Sequence, residues 1–127
     1  MKNSKLGWVG FDLDGTLAEY HGWTGNPYHI GKPIPAIVKI ARDLLEAGEL
    51  IKILTARACV YDPNTLVAIE EWCEEHLGQV VPITCQKDYN MIRLYDDRAI
   101  QVETNTGKVI EACPDPEEHY ILEDLRH

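Results

Sequence analysis

The chain has 127 residues, 45% of them hydrophobic, which suits one ordinary domain, 1–127, with its own core and leaves no room for a second. Its formal charge of −9 works against a surface that grips nucleic acid through clustered lysine and arginine, so a nucleic-acid partner is disfavoured although local basic sites are not excluded. Cys59, Cys73, Cys85 and Cys113 lie too far apart for a zinc site or a redox CxxC turn, and no apolar run resembles a leader or a membrane span; reduced thiols, a cytoplasmic location and no membrane partner are the expectation.

In chain order, Leu6 to Leu13 is short and apolar and ends at the turn former Asp14-Gly15, which predicts a buried strand that delivers two aspartates at its carboxyl end. Leu17 to Pro33 is aromatic, Gly-rich and aperiodic, a loop or flap whose Tyr20–His29 stretch could form a substrate lip. Ile37, Ile40, Ala41, Leu44 and Leu45 recur at helical spacing between Pro35 and Gly48, a Pro start and a Gly stop.

Leu50 to Thr55 reads as a second buried strand with Thr55 at its end and Arg57 just beyond. Asp62-Pro63 starts a second helix, apolar at Leu66, Ile69, Cys73 and Leu77 and stopped by Gly78; Val80 to Thr84 gives a third strand. Ile92 to Tyr95 gives a fourth, ending at Asp96-Asp97, and Ile100–Glu103 and Lys108–Ile110 flank an Asn-Thr-Gly turn as a hairpin. The tail is too mixed to assign.

Strands alternating with helices imply an α/β fold, a doubly wound, mostly parallel sheet with helices on both faces. Ligands of such sheets bind beyond the carboxyl ends of the strands, where this reading gathers Asp12, Asp14, Thr55, Asp96 and Asp97. Four carboxylates meeting there repel one another unless a cation intervenes, and Mg2+, a hard ion that takes carboxylate, water and phosphate oxygens, is the natural candidate.

The segments FDLDGT, ILTAR, Lys87 and LYDDR, in that order, resemble the four motifs of haloacid dehalogenase-like phosphatases, over about Val9 to Val102. Asp-x-Asp-Gly alone also occurs in calcium loops and plain turns; four motifs in order are far more specific. The resemblance implies a phosphohydrolase in which Asp12 attacks phosphorus to form an aspartyl-phosphate and Asp14 is the general acid/base. It further implies that Thr55 and Lys87 bind and neutralise the phosphoryl group, with Thr16 and Arg57 as further substrate contacts. Asp96 would ligate the metal directly together with Asp12 and the Asp14 carbonyl, and Asp97 would orient a metal-bound water.

Each residue also has a plainer reading. Asp12 and Asp14 could serve only a strand-end turn, Gly15 and Thr16 that same turn, Thr55 a cap and Lys87 the solvated surface, while Arg57, Arg98 and Asp97 could form structural ion pairs. The segment between Lys87 and the fourth strand is unusually short for the family.

The chain has no room for the cap domain of the larger family members, which implies an open site for a phosphorylated small molecule or an exposed macromolecular phosphate, or a site closed by a second copy in a homo-oligomer. GKPIPAIVKIARDLLEAG and DDRAIQV are similar to the phosphatase half of phage polynucleotide kinase-phosphatases, and the short spacing resembles small phage- and prophage-type hydrolases. A polynucleotide 3'-phosphatase and a non-catalytic phosphate-binding module are the alternative expectations.

Overall fold

The computed structural model describes residues 7–60 and 62–110, in two compact units that divide between Asp97 and Arg98. The first unit is an all-parallel sheet of four strands with two helices, an α/β arrangement. In space the strands run β3-β2-β1-β4, where β1 is Trp8–Phe11, β2 Ile51–Leu54, β3 Ile83–Thr84 and β4 Met91–Tyr95.

β1 is central and buried at every position, as a strand covered on both faces should be. Its register sets Phe11 beside Ile53 and Tyr95, so β1, β2 and β4 finish level with one another. The predicted third strand shortens to Ile83–Thr84. Pro82 has no amide to give the ladder, although its carbonyl accepts from the Ile53 amide at 2.9 Å, and Val80 is exposed.

The first helix, α1, spans Pro35–Glu46, with proline in its first turn and Gly48 at φ 85° just past its end. The second, α2, spans Pro63–Leu77; the Asp62 carboxylate accepts from the Asn64 amide at its start, and Gly78 closes it in the left-handed region. Val38 and Ala41 of α1 and Ile69, Trp72, Cys73 and Leu77 of α2 pack with Val9, Phe11, Ile51 and Ile53 into one core. The sequence reading of α2 had Leu66 on that face and passed over Trp72.

Helices on both faces were expected, yet α1 and α2 touch each other and no third α-helix occurs among the described residues. The connections explain this. Only β1–β2 and β2–β3 have room for a helix, whereas residues 85–90 alone carry the chain from β3 at one edge to β4 at the other. This six-residue crossover holds no helix; it bends at residues 85–86 and turns at residues 89–90, where the Met91 amide donates to the Asp88 carbonyl at 3.1 Å.

Its course is marked by Asp88, which accepts from the Trp8 indole N–H at 2.9 Å. Trp8 alternates with Val9 and Phe11 and so covers the sheet face opposite the core, with the Lys52 ammonium 4.7 Å from its ring. Gly10 makes room for that ring: a Cβ there would lie 2.9 Å from the Trp8 side chain.

The second unit, as described, is the predicted hairpin reduced to one antiparallel bridge, Val102 with Val109, across a turn with Asn105 and Gly107 at positive φ. The tail and Cys113 lie outside the described residues. No described helix is long and apolar enough to cross a membrane.

Candidate active site

Parallel pairing puts the ends of β1, β2 and β4 on one edge, so the residues that follow them, Asp12, Thr55 and Asp96, sit side by side. The Asp12 amide still donates to the Tyr95 carbonyl (2.9 Å) and the Thr55 amide to the Thr84 carbonyl (2.9 Å), so the ladder fixes the backbone of both residues.

After Asp12 the chain curls tightly. The amides of Thr16, Leu17 and Ala18 converge on the Leu13 carbonyl at 2.9–3.3 Å, with Leu13, Leu17 and Ala18 fully buried beneath the turn. Gly15 stands at φ 92°, and a Cβ there would lie 2.5 Å from Asp97 Oδ2. Only glycine satisfies both the backbone and the approach of that carboxylate.

Thr16 bolts the two loops together. Its hydroxyl accepts from the Asp97 amide and lies 3.0 Å from Asp97 Oδ1 and 3.5 Å from Asp12 Oδ2. A hydroxyl has one proton to give, and the shorter geometry assigns it to Asp97.

Asp12, Asp96 and Asp97 bring one carboxylate oxygen each to within 4.8 Å of the others. Burial, a carboxyl–carboxyl hydrogen bond with Asp97 and the charges of Asp96 and Asp97 push the Asp12 carboxyl up to about 7; the Leu13 amide pulls the other way. Such a group gathers protons because negative charge is in excess, and a cation would relieve the same excess. Three hard oxygen donors at this separation could hold a divalent metal ion: opposite ligands of a magnesium octahedron lie about 4.2 Å apart.

The side chain of Asp14 is not in this group. It faces Arg57, whose Nε and Nη2 donate to its two oxygens at 2.8 and 2.9 Å in a largely buried fork. The Asp14 side chain, expected among the metal ligands, is thus committed to Arg57 and stands outside the carboxylate cluster. The remaining guanidinium nitrogen, Nη1, donates to the Pro27 carbonyl at 2.9 Å, tying the flap to the turn. All three donor groups of Arg57 thus meet protein, where substrate contact was expected.

Thr55 is buried and caps a short 3-10 turn, Ala56–Cys59, by accepting from the Arg57 amide at 3.2 Å, which leaves its hydroxyl proton to donate. Lys87 is exposed on the crossover, next to the Asp88 that accepts from Trp8, and is not joined to the hydrogen-bonded group around Asp12. Arg98 belongs to the second unit.

The flap holds what the sequence reading left vague. With α2 it forms a half-open cavity of about 600 Å³ that reaches Asp14 and Arg57 and is lined by Tyr20, Trp23, His29, Trp72 and His76. Trp72 was missed because its place on the apolar stripe of α2 marks it equally as core. The Asp14–Arg57 fork was missed because it joins residues 43 apart. In comparisons with known proteins, no family model matches the chain and no curated protein matches it.

Proposed function

We propose that the protein is a magnesium-dependent hydrolase of phosphomonoesters, with Asp12 as nucleophile and Asp14 as proton donor and acceptor, built on the capless core of a haloacid dehalogenase-like fold. The observation that carries this reading is the meeting of Asp12, Asp96 and Asp97 beyond the ends of neighbouring parallel strands, while Asp14, two residues on, is held apart by Arg57. A nucleophile and an acid/base must be separate groups in different surroundings, and these two carboxyls are.

Asp12, Asp96 and Asp97, with the Asp14 carbonyl, would hold the Mg2+ ion, which when bound neutralises charge on the carboxylates and on the phosphoryl oxygens. An Asp12 oxygen attacks phosphorus, the bond from phosphorus to the leaving oxygen breaks, and Asp14 gives that oxygen a proton. Water then attacks the aspartyl-phosphate, Asp14 takes its proton, and inorganic phosphate leaves with the Asp12 carboxylate restored. For either transfer Arg57 must release one of its two bonds to Asp14, which makes it the positioning residue of the pair. Thr55, through its free hydroxyl proton, and Lys87, swung from the crossover, serve the phosphoryl oxygens; Thr16 holds Asp97 in place.

The test is phosphate release from an aryl phosphate and a panel of sugar phosphates and nucleotides, with Mg2+ or with chelator. The reading expects turnover that needs the metal and vanishes in Asp12→Asn. Turnover indifferent to chelator, or retained in that variant, would overturn it.

A further inference from the structure

The cavity beside Asp14 has features that a site for phosphate alone would not need. Its walls are aromatic: Tyr20 and Trp23 come from the flap, while Trp72 from α2 stacks at a tilt on His76 with ring centroids 4.7 Å apart. Trp72 is fixed, because its indole N–H donates to the Gly31 carbonyl at 2.9 Å and the ring is almost fully buried.

The flap is fixed as well. The Glu19 amide donates to the Lys32 carbonyl and the Ile34 amide to the Leu17 carbonyl, closing its base, while the Tyr28 hydroxyl donates to Asp62 and Arg57 holds Pro27. Gly31 lets the two limbs meet, since a Cβ there would clash with the Glu19 backbone. The cavity is therefore preformed, and its size is that of a small-molecule site.

Among these rings sit Glu19, 3.3 Å from the His21 ring nitrogen, Glu75, 3.8 Å from that of His76, and the ammonium of Lys32, apart from the Asp14–Arg57 pair. Carboxylates accept from amino and ring N–H groups, and an ammonium donates to ring nitrogens or carbonyls. The same carboxylates repel further anionic groups. Flat, polar-edged and free of additional charge describes a nucleobase.

We propose that this cavity binds the base of a nucleoside monophosphate, so that the ester phosphate is presented at the turn carrying Asp12 and Asp14. The inference rests on the phosphohydrolase reading for its chemistry, but the base site itself does not depend on turnover. A mononucleotide is favoured over a polynucleotide end because the chain carries a net charge of −9, which works against gripping a phosphate backbone.

The experiment has two arms. Adenosine, cytidine and ribose, all without phosphate, are titrated against the full chain while its tryptophan fluorescence is followed, in wild type and in Trp23→Ala. Trp23 is 68% exposed, so this variant should fold, which circular dichroism checks. Nucleosides should bind and ribose should not, and Trp23→Ala should weaken nucleoside binding about tenfold, the worth of one base–aromatic stack.

In the second arm, kcat/KM is compared for 5'- and 3'-nucleoside monophosphates, an alkyl phosphate and a 3'-phosphorylated oligonucleotide. Preference for the monophosphates, with their advantage over alkyl phosphate falling about tenfold in Trp23→Ala, supports the proposal, and the two isomers show which ester is used. Nucleoside binding without any turnover upholds the base site and removes the phosphohydrolase reading. Turnover with no nucleoside binding, or preference for the oligonucleotide, overturns the base site and leaves that reading standing.

Discussion

Asp12 carries the clearest electrostatic signature of any described side chain. Burial and the neighbouring carboxylates of Asp96 and Asp97 push its carboxyl up to about 7 from an ordinary value of 3.8, so between those values the folded state holds a proton that the unfolded chain releases. Stability linked to this group is complete below about pH 4 and declines as pH rises towards 7. Urea titrations of metal-free protein should show that decline, and the stabilisation gained from Mg2+ should grow over the same window, because metal and proton compete for one carboxylate. Gly15 gives a second prediction at this scale. Gly15→Ala adds a methyl group 2.5 Å from Asp97 Oδ2 at a φ of 92°, and should cost about 1–3 kcal/mol in urea unfolding while weakening metal binding.

Among the elements, α2 and the flap are one mechanical unit. Asp62 caps α2 through the Asn64 amide and also accepts from the Tyr28 hydroxyl at 3.0 Å. Asp62→Ala should lower stability by about 1 kcal/mol, read from the urea midpoint, and should free the flap, read as faster amide exchange in residues 20–30. How far such elements were legible depended on whether their cause was local. Pro35, Gly48, Asp62 and Gly78 punctuate the helices by backbone chemistry that any reader of the chain can apply, and the observed ends fall where these residues put them. Pro82 answers to strand order instead, so the short β3 was not visible beforehand, whereas the short connection to β4 was.

For the whole molecule, the grouping of Asp12, Asp96 and Asp97 was legible because strand alternation forces their loops to one edge of a parallel sheet. The partner of Asp14 and the placement of Lys87 were not, because the Arg57 fork and the Asp88–Trp8 anchor beside Lys87 join distant parts of the chain. The core predicts a contrast in thiol chemistry. Burial pushes the Cys73 thiol up to about 12, whereas Cys59 and Cys85 are exposed. Of these three, Cys59 and Cys85 should be alkylated in the native protein at neutral pH, and Cys73 only after denaturant is added, as peptide mass mapping would read.

The most direct test of the central claim is a burst experiment on Asp14→Asn with an aryl phosphate, whose leaving group needs no proton donor. Without its base the second step should stall, so one equivalent of aryl alcohol should appear rapidly with Mg2+, and acid-quenched protein should carry one phosphoryl group on the peptide containing Asp12. A burst with the phosphoryl group on another residue, or turnover of the aryl phosphate by Asp12→Asn, would contradict the assignment of Asp12 as nucleophile.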